Sequence, residues 1–340
     1  MSDSRIKLGL IGAGRIGRVH AEHLCCRIPE ARLLAVTDIQ EQSAKDLAER
    51  LGIPQSGTDY RAVLARKEIQ AVIVCSSTDT HTQIIEEAAA AGKHVFCEKP
   101  IDPDPKRIDS AIKAVSQAGV ILQVGFNRRF DANFRRIRHA VTSGEVGTPH
   151  QLHIISRDPG PPPIEYVRKS GGIFMDMTIH DFDMAQFLID SPVEEIFASG
   201  AVRVDPAIGQ AGDLDTVTIL LKFANGVRGV IENCRRAAYG YDQRVEVFGS
   251  GGSIRADNNY PNTALLSGAD RVSRDLPLNF FMDRYIDSYL EEMRAFLGAI
   301  RRGEPSPVSG EAGRVPVMMA LAARRSCELN RPVRLADCEI

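Results

Sequence analysis

The chain has 340 residues, 44% of them hydrophobic and 25% charged, with a formal net charge of -2. That length exceeds one ordinary core and predicts two domains, and the composition excludes a disordered or fibrous chain. With no long block of like charge, neither nucleic acid nor an anionic membrane surface is an obvious partner, which leaves a small molecule. Seven cysteines (Cys25, Cys26, Cys75, Cys97, Cys234, Cys327, Cys338) form no CxxC pair and no zinc-spaced Cys/His cluster, so reduced thiols and no metal are expected. The apolar run from Ile6 to Ala13 is too short for a signal-peptide core, and no later run reaches the ~18 apolar residues of a membrane span. A cytoplasmic location is the expectation.

From Arg5 to about Val124, short apolar runs alternate with helical patterns: IKLGLI then RIGRVHAEHL, RLLAVTD then EQSAKDLAERL, AVIVCSS then HTQIIEEAAAAG, HVFCEKP then PKRIDSAIKAVSQAG, and finally VILQVGF. This is the sequence form of a parallel sheet covered on both faces, a doubly wound α/β domain over 1–125. After Gly147 the texture changes to alternating, β-branched stretches (HQLHIISRD, DTVTILLKF, GVRGVIENCRR, QRVEVFGSGGSIRAD), with Asn225-Gly226 as a hairpin signal. A second, α+β domain over 126–340, built on a large and mainly antiparallel open sheet, is predicted. Helices are predicted over about 172–189, 281–302 and 310–329; Pro159 to Pro163 reads as a rigid loop. An exposed sheet face needs covering, so a homo-oligomer is expected.

Gly12-Ala13-Gly14-Arg15-Ile16-Gly17 is GxGxxG placed directly after a strand and opening a helix. Gly12 permits the turn, Gly14 lets a pyrophosphate approach the backbone, and Gly17 lets helix and strand pack closely; Arg15 and Ile16 open the helix whose free N–H groups attract phosphate. Asp38 ends the second strand, where a carboxylate accepts ribose hydroxyls and repels a 2′-phosphate, favouring NAD over NADP; capping the next helix is the alternative role. Ser76, Thr78 and His81 follow the AVIVC strand at its carboxyl edge and are candidate cofactor contacts, although Thr78 or Asp79 could equally cap the next helix. Glu98 and Lys99, at the end of the HVF strand, lie on the same edge. Glu98 joins the cofactor shell, and the charge of Lys99 would stabilise a developing alkoxide.

In the stretch from Gly171 to Asp183, GGIFMDMTIHDFD, the residues Asp176, His180 and Asp183 are spaced i, i+4 and i+7 and share one helix face. A carboxylate one turn before an imidazole fixes its tautomer and favours its protonated form, which suits a general base for an alcohol proton. Three solvated helix residues with no ligand are the alternative.

The AGRIG loop, the EKP strand end, GGIFMDMTIHDFD, RRAAYGYDQRVEVFG and the late FFMDRYIDSYLEEMRAF helix together resemble the Gfo/Idh/MocA family of oxidoreductases, most of all its inositol 2-dehydrogenase members. The resemblance covers about Ile6 to Leu329. It implies a Rossmann domain, an α/β domain whose open sheet makes oligomer contacts, commonly a homotetramer, and NAD as cofactor. It implies Lys99, Asp176 and His180 as the catalytic set, and Arg128, Asp183 and Tyr239 around the substrate; Asn127, beside Arg128 at the end of the last strand of the first domain, is a candidate nicotinamide or substrate contact by its position. The implied reaction is oxidation of one secondary hydroxyl of a polyol, myo-inositol to 2-keto-myo-inositol (scyllo-inosose), as in inositol catabolism. Other isomers or sugars, or a regulatory protein that binds NAD without chemistry, are the alternatives. Where some inositol dehydrogenases carry a histidine before Arg-Asn-Pro, this chain reads Ser156-Arg157-Asp158-Pro159, so part of the substrate wall differs. The resemblance also implies a cis Lys99-Pro100 bond.

Overall fold

The computed structural model describes residues 4–338. The chain divides into two compact units, Met1–Asn127 with Asp287–Val315, and Arg128–Ile286 with Pro316–Ile340.

In the first unit, β1 (Ile6–Ile11), β2 (Ala31–Thr37), β3 (Gln55–Gly57), β4 (Ala71–Val74), β5 (His94–Glu98) and β6 (Leu122–Gly125) form one parallel sheet in the order β3-β2-β1-β4-β5-β6. The intervening helices are α1 (Arg15–Cys26), α2 (Glu41–Leu51), α3 (Tyr60–Leu64), α4 (His81–Ala90) and α5 (Pro105–Ala118). Central strands buried on both faces must be apolar throughout, and all four residues of β4 are buried. Strand order reverses on either side of β1, and such a switch point opens a ligand crevice at the carboxyl ends of the strands.

The second unit holds α6 (Ala132–Thr142), β7 (Pro149–Arg157), α7 (Ile164–Val167), α8 (Ile179–Ile189), β8 (Val193–Ala201), α9 (Pro206–Gln210), β9 (Thr216–Phe223), β10 (Arg228–Cys234), β11 (Asp242–Gly249), β12 (Gly252–Ala256) and a small ribbon, β13 (Leu266–Ser267) with β14 (Val272–Ser273). Helices α10 (Phe281–Arg302) and α11 (Gly310–Leu329) and strand β15 (Val333–Arg334) close the chain. The seven-stranded sheet runs β12-β11-β7-β10-β9-β8-β15 and is antiparallel except where β10 pairs with β7. Asn225 and Gly226 (φ 91°) turn β9 into β10 as predicted. Along β9, Thr218 and Leu220 point outward while Val217, Ile219 and Leu221 are buried. The open face of the sheet thus retains Leu220 and Phe248 at about half exposure, 50% and 45%.

Three features differ from the sequence reading. The segment 172–189 is not one α-helix: Phe174–Thr178 is a π turn that runs into α8. π turns of this kind concentrate at functional sites, and nothing in residue periodicity distinguishes a single wide turn. Helix α6 is an element beyond those predicted; its N-cap is Asp131, whose carboxylate accepts from the backbone of Asn133 and Phe134. Lastly, the sequence reading assigned everything after 125 to one domain, whereas Asp287–Val315 belongs to the first compact unit. Leu290, Met293, Phe296 and Leu297 of α10 join the first unit's core with Leu8, Leu10, Ile73 and Phe96; helical spacing reveals a buried face but not what buries it.

Candidate active site

In the first unit the glycine loop joins β1 to α1. Gly12 has φ 103°, and a Cβ there would meet the Cys75 carbonyl oxygen at 2.4 Å. At Gly17 a Cβ would lie 2.0 Å from the Gly12 oxygen. Both glycines are required by the protein's own packing. Gly14 differs: its φ is an ordinary -69° and a Cβ there would meet nothing within 4 Å. Gly14 is also the N-cap of α1, with no side-chain cap. Open space in front of an uncapped helix N-terminus is what a pyrophosphate needs, so the residues present fit a dinucleotide. Exposed Arg15 and half-buried Ile16 flank this opening.

Asp38 follows β2. Its Oδ2 accepts from Ala13 N (2.7 Å) and its Oδ1 from Gln40 N (2.8 Å), so the carboxylate is held against the glycine loop. The α2 N-cap is Gln40, not Asp38. At the end of β4, Ser76 and Thr80 share a hydroxyl bond (2.7 Å), and Thr78 begins the short 3-10 turn that leads into α4. The N-cap of α4 falls on Thr80 and not on Thr78 or Asp79, and its hydroxyl donates to Ser77 O. His81 is buried with its ring nitrogens 2.8 Å from Pro100 O and 3.0 Å from Ser76 O, tying the β4 and β5 ends together. The Lys99-Pro100 bond is cis, as the resemblance implied. Asn127 is buried and donates to Ser288 Oγ at 3.3 Å.

Glu98 belongs to a group that sequence reasoning missed. His20 Nε2 lies 2.7 Å from Glu98 Oε1 and 4.0 Å from Glu292 Oε1, and Lys99 N donates to Glu98 Oε2 at 3.3 Å. Glu292 is fully buried, and among the described residues neither of its oxygens has a hydrogen-bond partner. Burial, and then the charge of Glu98, push its carboxyl well above the usual range. These residues lie 78 and 194 positions apart, beyond the reach of any local pattern.

In the second unit the parallel ends of β7 and β10 bring Arg157 level with Cys234, while Asp158 N bonds Cys234 O at 3.0 Å. Arg235, next along, is 1% exposed. Its Nη1 donates to Asp176 Oδ2 (3.1 Å) and its Nη2 to Asp213 Oδ2 (3.4 Å). The other oxygen of Asp176 accepts from Tyr166 OH at 2.8 Å. His180 stands four residues on from Asp176, where the π turn passes into α8. Burial, chiefly, pushes the Asp158 carboxyl up to about 6, opposed by Arg235 and reinforced by Asp176.

Of the remaining predicted substrate residues, Arg128 and Asp183 are deep in polar networks. Arg128 is buried and donates to Asp181 (2.6 Å), Ser156 (3.2 Å) and Tyr241 (3.4 Å). Asp181 also accepts from Ser156 (2.7 Å) and Asn233 (2.7 Å). Asp183 is 0% exposed, and Arg129 engages both of its oxygens at 2.6–3.0 Å. Burial pushes the Asp183 carboxyl up, against the pull of Arg129. Tyr239 is the accessible one, 38% exposed; its hydroxyl donates to Asp242 at 2.5 Å and accepts from Arg157 at 3.0 Å. Charge alternation in NRRF and HDFD could have suggested the pairs Arg128–Asp181 and Arg129–Asp183; spacing alone leaves open which arginine takes which carboxylate.

Residues 6–126 match the model of the oxidoreductase family with an NAD-binding Rossmann fold, and residues 134–255 match the GFO/IDH/MocA C-terminal domain. The chain belongs to the Gfo/Idh/MocA family of oxidoreductases. It is 48% identical to the myo-inositol 2-dehydrogenase of Thermotoga maritima over 98% of this chain and 99% of that protein. With the inositol 2-dehydrogenase of Rhizobium meliloti it shares 44% identity over 97% and 99% of the two chains. The crystal structure of scyllo-inositol dehydrogenase from Lactobacillus casei with bound NAD(H) and scyllo-inositol superposes with a TM-score of 0.92 at 30% identity, covering 98% of this chain and 99% of that one. The first unit is thus an NAD-binding Rossmann fold, and the family is one of enzymes. Among the described residues no helix is long and apolar enough to cross a membrane.

Proposed function

We propose that the protein oxidises one secondary hydroxyl of a cyclic polyol with NAD, and that the substrate is myo-inositol, converted to 2-keto-myo-inositol. The observation that carries this reading is Asp176: a carboxylate with both oxygens held, four residues before His180, in a chain nearly half identical to a myo-inositol 2-dehydrogenase along its whole length.

His180 takes the hydroxyl proton as general base. Asp176 orients the imidazole and balances the charge it acquires, and Lys99 donates to the hydroxyl oxygen and stabilises its negative character. NAD, held by the Gly12–Gly17 loop and Asp38, supplies the acceptor for the hydride leaving the same carbon. Asp38 disfavours a 2′-phosphate, which makes NAD the preferred form over NADP. Ser76, Thr78, His81 and Glu98 shape the cofactor side. Tyr239 contacts the ring directly, and Asn127, Arg128 and Asp183 set the wall.

Another inositol isomer is the second reading, favoured by the Ser156-Arg157-Asp158 wall: Ser156 is buried in the Asp181 network and Arg157 is paired with Asp242 and Glu232. The experiment is NADH formation by the purified protein on myo-inositol, scyllo-inositol, chiro-inositol, glucose and galactose, with NADP as cofactor control and His180→Ala as protein control. Turnover with myo-inositol and NAD that vanishes in the variant supports the reading. Turnover confined to another ring moves the substrate, and NAD binding without turnover on any of them refutes myo-inositol and leaves an untested substrate or a regulatory protein. The same reading includes a homotetramer built on the open sheet face and a cytoplasmic location. Light scattering should give about four times the 37.2 kDa chain mass; a monomer at working concentration would remove the oligomer.

A further inference from the structure

We infer that Arg235 and Tyr166 are positioning residues for Asp176, and that together they set the orientation of the Asp176–His180 pair. This rests on the reading above that the pair performs the proton transfer.

The geometry is a clamp with two jaws. Tyr166 OH, on the short helix α7, donates to Asp176 Oδ1 at 2.8 Å, and Arg235 Nη1, just past β10, donates to Asp176 Oδ2 at 3.1 Å. One donor on each oxygen fixes the rotation of the carboxylate, which a single contact leaves free. Arg235 is itself anchored: its Nη2 reaches Asp213 (3.4 Å), and its backbone N bonds Asp215 O (2.8 Å). Asp213 in turn accepts from Ile173 N at 2.9 Å, at the start of the helical segment that carries Asp176 and His180. Arg235 therefore holds both the Asp176 side chain and, through Asp213, the backbone on which it sits. A planar guanidinium suits this bridge because two nitrogens at a fixed spacing each reach one carboxylate, whereas an ammonium must reach both from a single atom on a flexible stem.

A stabilising ion pair alone would be complete with Asp213. Instead the shorter arm goes to Asp176, whose side chain keeps 14% exposure while Arg235 keeps 1%. The cation is thus the buried member of the group, since the Asp213 side chain keeps 11% exposure as well. Asp158 bears on the same charges: burial raises its carboxyl, the charge of Arg235 opposes the rise, and Asp176 adds to it. The charged and titratable groups that bear on the clamp include Asp158, Asp176, Asp213, Tyr166 and Arg235, with Arg128 and Asp181 acting on Asp158, Arg324 beside Gly172, and His180 next on the helix.

The test uses the full-length protein with NAD and myo-inositol, and the variants Tyr166→Phe, Arg235→Lys, Asp213→Asn and Asp176→Asn. Turnover, KM for inositol, NAD affinity and thermal midpoint are measured, together with kcat/KM across pH. The expected result is a loss of about tenfold in kcat for Tyr166→Phe and about 100-fold for Arg235→Lys, with NAD affinity within twofold of wild type. In Tyr166→Phe the acid-side midpoint of the pH profile should move up, because a carboxylate that has lost a donor holds the imidazolium proton more tightly. A purely structural role would lower the thermal midpoint and leave that pH midpoint in place. Tyr166 is 50% exposed, so its variant tests the inference even if Arg235→Lys fails to fold. Asp176→Asn separates the two layers. If it is impaired while Tyr166→Phe and Arg235→Lys stay within twofold of wild type in both kcat and pH midpoint, the clamp is refuted and the mechanism stands. If Asp176→Asn is fully active, or the wild type turns over no polyol, the mechanism falls and the clamp falls with it.

Discussion

Gly14→Ser separates the glycine that packing requires from the one a ligand requires. The new Cβ meets no atom within 4 Å, and φ is -69°, so the substitution is free of strain in the protein alone. As the uncapped N-cap of α1, position 14 should even gain: serine is preferred there over glycine by a few tenths of a kcal/mol. At roughly 2–4 °C per kcal/mol for domains of this size, the thermal midpoint should rise by less than about 2 °C. The added atoms stand where a pyrophosphate approaches the helix N-terminus, so NAD affinity by titration calorimetry should fall at least about tenfold, about 1.4 kcal/mol. Gly17→Ala is the contrast: its Cβ would sit 2.0 Å from Gly12 O, and forced overpacking costs roughly 1–3 kcal/mol, so stability should drop whether or not NAD is present. Unchanged NAD affinity in Gly14→Ser, or a loss of stability matching that of Gly17→Ala, would refute the reasoning.

Loss of His180 as alanine should lower turnover about 10²–10⁴-fold while calorimetric NAD binding survives; near-normal turnover removes it as the base. Asp38→Ala should weaken NAD and narrow its advantage over NADP, and an unchanged cofactor ratio counts against the ribose contact. Glu292→Gln is a stability prediction. The folded-state pKa of Glu292 lies above its unfolded value, so its contribution is full below about 4.5 and declines as pH rises. Urea unfolding should therefore show the glutamine variant gaining on wild type as pH rises above about 4.5, and a pH-independent difference would contradict the raised carboxyl. His23 has the opposite sign. Burial, and then the neighbouring His20, lower it from 6.5 to about 4, so its contribution is present above 6.5 and lost as pH falls towards 4. In His23→Gln the acid limb of stability should be flatter over that window, as read by the same denaturation series.

What the sequence determined by itself was local. The alternation of apolar runs with amphipathic helices, the glycine loop after β1, the Asn225-Gly226 hairpin and the bounds of α10 and α11 all follow from chain-neighbour physics. For the same reason Asp176 and His180 could be singled out, being one turn apart on a single segment. Tertiary structure decided whatever depends on partners distant in the chain. The Arg235 grip on Asp176 spans 59 positions and the His20–Glu98 contact 78, and no periodicity encodes which buried charge meets which. It also decided that Leu290 to Leu297 complete the first unit's core. An amphipathic helix specifies that one face must be buried, and only the folded chain specifies against what, because hydrophobic burial is not directional.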